Sequence, residues 1–422
     1  MMSQGQKHFQ IAIIGGGIAG IVLAISLLKR NIPCKIYERA HGISDIGAGL
    51  GISPNAQDAM AACDPSVHTA FKKVANGNTW ESKKSFLFEF LDGMDGATTD
   101  SPLFHIENRT GLQGCHRGAF VNELLKLLPS DVVYFHKQLQ AVEKVSGGIR
   151  LIFQDGTIEE ADAVVGCDGI KSKVREILVG PDHPSSKCSY TQKYAYRGMI
   201  PMPQAVEVLG EERALNATMW IGKNKHLLSY PVAHGTILNV VAYCSSADDW
   251  PSDSQLVLPA TKEDLLHDFE GFRPSVLKIL DNTEKLDRWA IFDLGDNLVP
   301  IFAKGRVCII GDAAHASSPH HGAGAGLCIE DAAVLASILA HDMVGVGADI
   351  EAAFAAFDRC RRERAQWVVQ KSRRAGQLFE RQTEIGSDFG RIFEELKETL
   401  PTIWDYDIEQ VIRTALIGLD TA

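Results

Sequence analysis

The sequence has little with which to cross-link itself. Its nine cysteines, at 34, 63, 115, 167, 188, 244, 308, 328 and 360, are odd in number and scattered, with no Cys-x-x-Cys pair. That fits neither a disulfide framework nor a zinc site and points to a reducing compartment. No His/Cys/carboxylate set has metal spacing, so no metal is expected. A basic block able to choose the partner is also missing. Lys and Arg number 42 against 53 Asp and Glu, a net charge of -11, and that field repels nucleic acid and anionic membrane. Arg359-Cys360-Arg361-Arg362-Glu363-Arg364 falls in a helical pattern and reads as a solvated face. The uncharged stretch from Ile11 to Leu28 is crowded with glycine and has strand-then-helix character. It is a core βα unit rather than a membrane span. The polar residues before it hold no secretory apolar region, so a cytoplasmic protein is expected. Repeats, low-complexity tracts and linkers are absent as well.

What is present is an ordinary globular composition, 45% hydrophobic and 23% charged over 422 residues, enough for two or three structural units. Ile11 to Ile14 reads as a strand, Ile18 to Arg30 as a helix and Cys34 to Glu38 as a second strand. Strands and loops follow from Trp80 to Ile106, then a helix from His116 to Leu128. Val132 to Phe153 is strand-like, with turns at Gly147-Gly148 and Asp155-Gly156, and Ala161 to Cys167 is a buried strand. Tyr190 to Ala247 alternates as a half-exposed antiparallel sheet does. Thr261 to Leu280 is helical with a break at Pro274. Val307 to Ile310 is a strand, Leu327 to His341 a helix, and the chain from Ile350 onward is helical.

Gly15-x-Gly17-x-x-Gly20 lies between the first strand and helix. Its glycines permit a tight turn and close approach to a pyrophosphate at the helix N-terminus. Glu38, ending the second strand, stands where a carboxylate binds a ribose hydroxyl. This fingerprint alone does not separate NAD from FAD. Two further segments do: Ala163-Val164-Val165-Gly166-Cys167-Asp168-Gly169, continuing to Arg175, and Gly305-Arg306-Val307-Cys308-Ile309-Ile310-Gly311-Asp312-Ala313-Ala314-His315. They resemble the Asp-Gly and Gly-Asp segments of the FAD-dependent aromatic hydroxylases, the group A flavoprotein monooxygenases. In physical terms, Asp312 at a strand end can accept from a ribityl hydroxyl. The helix start around Gly322, Ala323, Gly324 and Ala325 can aim backbone N–H groups at the flavin edge.

The resemblance runs from Ile11 to about Trp367. It implies an α/β fold like that of para-hydroxybenzoate hydroxylase: a discontinuous Rossmann-like FAD domain (1–80, 110–188 and 290–350), a smaller antiparallel-sheet substrate domain (81–109 and 189–289), and a helical C-terminus (351–422). It also implies FAD contacts from Arg117 and from Asp168, which stands near the NAD(P)H approach. NAD(P)H, with NADPH the expected donor, would dock transiently, since no second glycine-rich βαβ unit occurs. Where many relatives carry Gly-Gln-Gly followed by Asn, this chain reads Gly322-Ala323-Gly324-Ala325-Gly326-Leu327; backbone amides survive the change and side-chain contacts do not. With His320-His321 before it, the run narrows the resemblance to fungal salicylate-hydroxylase-like enzymes of polyketide pathways. Those enzymes hydroxylate and dearomatise resorcinol-type aldehydes, as in tropolone and azaphilone biosynthesis. Lys193-Tyr194-Ala195-Tyr196-Arg197-Gly198 and His226-Leu227-Leu228-Ser229-Tyr230-Pro231-Val232 match their pocket strands, which implies that Arg197 and Tyr230 hold a substrate phenolate.

The chemistry has use for such a pair. The resemblance implies a flavin hydroperoxide formed with O2, and that electrophile needs an electron-rich carbon. A phenol of pKa about 10 is only about 0.1% ionised at neutral pH, and half-ionisation needs roughly 4 kcal/mol. A charge-assisted hydrogen bond contributes about 1.5–3 kcal/mol, so a guanidinium and a tyrosine hydroxyl are of the right size, with an ortho-carbonyl on the substrate supplying the rest. The alternatives are a cross-strand ion pair for Arg197 and a half-buried sheet aromatic for Tyr230. His226, four residues before Tyr230 on the same strand face, is a candidate for orienting substrate. His320 and His321 are candidates for proton transfer, of which at most one is expected to face the site, and His315 either caps, packs or reacts. A salicylate-type decarboxylating or simple phenol hydroxylase is the competing reading. An NAD dehydrogenase would leave two motifs idle, and a flavin halogenase would carry a Trp-x-Trp-x-Ile-Pro segment, for which Trp220-Ile221-Gly222 is no substitute. A flavin-binding regulator would leave Arg197 and Tyr230 unexplained. The exact substrate stays open, as does a homodimer.

Overall fold

The computed structural model describes residues 7–42, 49–97, 99–252 and 255–420. At its centre Ile11–Ile14, fully buried, pairs in parallel with Cys34–Tyr37 on one side and Ala163–Gly166 on the other, Ile13 facing Ile36 and Val165. A strand covered on both faces needs no alternation, and these runs show none. Val133–Tyr134 and Val307–Ile309 extend the sheet in parallel at either end, and Ala303–Lys304 closes it antiparallel. Segments remote in the chain thus become neighbours around the glycine turn. Leu139–Val145, Gly148–Phe153 and Ile158–Ala161 form a small antiparallel sheet beside them, with Gly147 and Gly156 at positive φ in its turns.

The second layer is an eight-stranded sheet. Its order is Val257–Pro259, Glu284–Asp293, Ser189–Pro201, Ile237–Ser245, Lys225–Val232, Thr218–Ile221, Phe86–Asp92 and Phe104–Glu107. Every adjacent pair is antiparallel except Thr218–Ile221 with Phe86–Asp92. The expected alternation from Tyr190 to Ala247 is not continuous. Pro201 and Pro203 end a strand, Met202–Leu209 and Glu211–Ala214 are helices, and Gly210 at φ 76° separates them. Met202, Ala205 and Leu209 face inward at helical spacing, and the helix packs on the sheet face carrying Tyr196, Trp220, Leu227 and Val240.

The helix expected from Leu327 begins earlier, as Gly324–Ala340, and runs almost wholly buried against Ile18–Lys29 and Pro54–Cys63. The helical C-terminus divides into Ala348–Phe379, Phe389–Trp404 and Ile408–Asp420. Among the described residues no helix is long and apolar enough to cross a membrane. The arginine run at 359–364 is not a solvated face. Arg361 is fully buried, bonding Asp331 through Nε at 2.8 Å and Glu330 through Nη2 at 2.6 Å, and Arg364 is nearly so, on the same Glu330. Acidic partners on the neighbouring helix let these charges enter the core.

Candidate active site

The glycine turn is built as a cradle. Gly15 has φ 107°, and a Cβ there would collide with the Cys167 carbonyl; a Cβ at Gly20 would meet the Gly15 carbonyl. Gly17 precedes the helix without a side-chain cap, which leaves the first N–H groups open to an anion. Glu38 lies against this turn, its carboxylate accepting from the backbone N–H of Gly16 at 2.6 Å and of Ala40 at 2.8 Å. Arg117 opens the helix Arg117–Leu125, and its Nη2 is 3.8 Å from the Cβ position of Gly17. Gly15, Gly17, Gly20, Glu38 and Arg117 therefore converge on one place.

Asp168 ends the neighbouring strand, but its carboxylate is occupied. It accepts from the Ser172 hydroxyl and from the N–H groups of Lys173 (2.7 Å) and Val174 (3.1 Å), so it secures the start of Lys173–Val179. Burial raises its pKa, against those hydrogen bonds. Asp312 differs. It is exposed at the start of Asp312–His315, and its Oδ1 is 4.0 Å from the Cβ position of Gly324. Gly322 is left-handed, Ala323 is buried, and the helix beginning at Gly324 and Ala325 has no side-chain cap. Beside it, Ser53 Oγ and Asn55 Oδ1 are buried without partners among the described residues, near Gly326. Uncapped N–H groups, an exposed carboxylate and orphaned polar atoms around a cradle that Cβ atoms would fill are what FAD requires.

Arg175 received no role from the sequence and has a prominent one. Fully buried, it donates to the carbonyls of Ile170 (2.7 Å), Ser186 (3.3 Å) and Ala313 (3.0 Å), joining the Asp-Gly segment to the Gly-Asp segment. Beneath the second segment, Asp331 accepts from His315 Nε2 and from the Gly311 N–H at 3.0 Å. His315 is thus a buried structural partner. Burial alone would raise the Asp331 carboxyl; the charges of His315 and Arg361 outweigh it and hold the group well below the usual carboxylate range.

On the eight-stranded sheet, one face carries the other candidates in three rows set by the register. Ala195, Tyr243 and His226 share a row; then come Arg197, Val241 and Leu228; then Asn239 and Tyr230. The Arg197 guanidinium lies over the Trp289 ring, 4.5 Å from its centroid, instead of in a cross-strand ion pair, and its Nε is buried without a partner among the described residues. Tyr230 is buried with its hydroxyl against Gly49. Burial pushes the pKa of Tyr230 and Tyr243 up while the charge of Arg197 opposes it. Both hydroxyls are therefore protonated donors at neutral pH.

His226 sits in the same wall but is tied down. Its Nδ1 is 3.1 Å from Glu380 Oε1, and its ring stacks on Tyr243 at 4.4 Å and 7°. Glu380, also fully buried, accepts from Lys193 and Ser245. His320 points at His226 and Tyr243, each ring 5.2 Å away, and neither of its nitrogens has a partner among the described residues. Burial lowers its pKa well below the ordinary value. The backbone N–H of His321 donates to Ser372 Oγ at 3.3 Å, and its Nδ1 is buried without a partner among the described residues. Tyr243, Trp289 and Glu380 escaped the sequence reading because cross-strand register and the end of a distant helix bring them here.

The FAD binding domain family matches residues 126–372. An FAD-dependent monooxygenase of Aspergillus niger, orf3, is 45% identical over 96% of this chain and 95% of its own. The FAD-dependent monooxygenase pigN of Monascus ruber is 45% identical, covering 98% and 97%. Among solved structures, a salicylate hydroxylase substrate complex superposes with a TM-score of 0.86 at 31% identity, covering 96% of this chain and 98% of that one.

Proposed function

Because this chain belongs to the FAD-dependent monooxygenases that carry the FAD binding domain, we propose that it hydroxylates a phenolic ring bound as the phenolate, with NADPH as reductant. The observation that carries this reading is Arg197, stacked on Trp289 with its Nε buried and unpartnered among the described residues, on the sheet face that also carries Tyr230 and Tyr243. The residues around Gly15, Gly17, Gly20, Glu38, Arg117 and Asp312 would hold FAD, which would supply the activation of O2. The protein's part is to hold the acceptor. Arg197 and the Tyr230 hydroxyl donate to the phenolate oxygen, and Trp289 keeps the guanidinium plane fixed. Val241, Leu228 and Ile291 form a dry floor in which these bonds are stronger than in water. An alkyl group on the attacked carbon would prevent rearomatisation and leave a dienone, so the proposed substrate is an alkylated resorcylic aldehyde of fungal polyketide metabolism. Likeness to the salicylate hydroxylase structure favours a second reading, decarboxylative hydroxylation of an ortho-hydroxybenzoate, which release of CO2 would identify.

The test is turnover of Arg197→Ala and Tyr230→Phe. Each removes about 1.5–3 kcal/mol of charge-assisted bonding, so kcat/KM should fall roughly 10- to 150-fold while bound flavin absorbance is unchanged. Wild-type turnover in both variants would remove the phenolate reading.

A further inference from the structure

Tyr243 is the unassigned group of this sheet face. It occupies the middle strand, directly opposite Ala195 and His226, one row from Arg197. Neighbouring strands stand about 4.8 Å apart and alternate residues about 6.8 Å, so Tyr243 is a diagonal neighbour of Arg197 on this face, while the guanidinium leans over Trp289 on the other flanking strand. At both tyrosines burial raises the pKa and the Arg197 charge opposes it, and Tyr243 adds to the rise at Tyr230. The register sets both tyrosines on the sheet face that carries Arg197, Tyr243 in the row before it and Tyr230 in the row after it.

The ring of Tyr243 is held in an unusual way for a pocket residue. Its face lies flat on His226, and a carboxylate can only accept, so His226 Nδ1 is the donor to Glu380 and its ring plane is fixed. Glu380 caps the helix Ala348–Phe379 and is held in turn by Lys193 and Ser245. Lys193 also donates to Gln382 at 2.8 Å. Burying a Glu, a Lys and a His together is costly unless all are paired, and here they are. The arrangement fixes one aromatic plane at the pocket edge.

We propose that Tyr243 is a second substrate-binding hydroxyl, which reads a second oxygen on the ring while Arg197 and Tyr230 hold the first, and that His226, anchored on Glu380, is the positioning residue that holds its plane. This rests on the phenolate reading above and assigns recognition of the second ring hydroxyl of the proposed resorcylic aldehyde to Tyr243.

The experiment compares an alkylated resorcylic aldehyde with the analogue lacking one hydroxyl, using holoenzyme. Tyr243→Phe keeps the ring on His226 and removes only the hydroxyl. KM for the dihydroxy substrate should rise about tenfold, the loss of one hydrogen bond in a dry site, and KM for the monohydroxy analogue should stay within twofold. His226→Leu should reproduce that selectivity with flavin still bound. An equal rise for both substrates, or none for either, in Tyr243→Phe would overturn the role of Tyr243. A substrate-independent loss in a folded His226→Leu would overturn the positioning role. Arg197→Ala separates the premise: if it turns over both compounds at the wild-type rate, the phenolate reading has failed, whatever Tyr243 does.

Discussion

His321 is held with its Nδ1 buried and unpartnered among the described residues, and burial together with the Lys371 charge lowers its pKa to about 4. A histidine in the unfolded chain titrates near 6.5. Between those values the unfolded chain binds a proton that the native protein refuses, so stability falls as pH drops through 6.5 and the loss is complete near 4. For His321 this amounts to on the order of 2–3 kcal/mol, and His320, shifted in the same direction, adds to it. Asp331 and Glu380, whose pKa values are lowered, lose their contribution only below the ordinary carboxylate range, a separate window. Denaturation midpoints of holoenzyme at pH 7 and pH 5 should therefore differ less in His321→Asn than in wild type; identical slopes would refute the assignment. Side chains of this kind mark the limit of sequence reading. Arg197 and Tyr230 are implied by the resemblance of their two strand segments to the pocket strands of a known family, since residue type and strand are local facts. Their neighbours on that face, Trp289 and Tyr243, come from register: alternation fixes which face a residue takes, and the choice among shifts of two residues is not written in the strand.

The helix Ala348–Phe379 shows what a closer look at period would have recovered. Phe354, Phe357, Arg361, Ala365 and Val368 are buried at spacings of three and four, so Arg361 stands within the apolar stripe rather than beside it. Charge density suggested a solvated face; position on the helix said otherwise. Its partners are consecutive acids, Glu330 and Asp331, on the buried helix Gly324–Ala340, and Glu330 also accepts from Asn55 at 2.6 Å. Removing one member of such a group leaves a charge buried and unpaired, which costs about 3–5 kcal/mol. Arg361→Leu should lower stability by about that amount. It should also weaken FAD retention, because Asp331 is the acceptor for the Gly311 N–H and for His315. Arg413→Leu, which removes an exposed partner of Glu409 on Ile408–Asp420, should change stability by less than about 0.5 kcal/mol. Urea denaturation of the two variants, with flavin fluorescence followed alongside, measures both effects. Equal and small shifts would mean that the buried ions contribute nothing net.

Across the whole molecule, the order of strands explains why three glycine and aspartate corners could be recognised separately yet act together. Ile11–Ile14, Ala163–Gly166 and Val307–Ile309 are adjacent in the parallel sheet, and each motif follows the C-terminal end of its strand, where open parallel sheets bind ligands. Hydrophobic runs revealed those strands because both faces are covered. The eight-stranded sheet was less legible, since helices at Met202–Leu209 and Glu211–Ala214 interrupt a stretch whose alternation seemed unbroken. Arg175, tied to both Ile170 and Ala313, locks two of these corners to each other. A ligand bound by all three corners stabilises only the half that contains them. Saturation at 100 times Kd contributes about 2.7 kcal/mol, and that stabilisation should be local. Hydrogen exchange of apoprotein against holoprotein should lose protection at 14–20, 38–40, 166–175 and 310–326. The strands bearing Trp220 and Val240, packed on their own helices in a separate core, should exchange alike in both. If instead protection falls uniformly when FAD is removed, the molecule opens as one cooperative unit, and the division of labour between its two sheets is structural only.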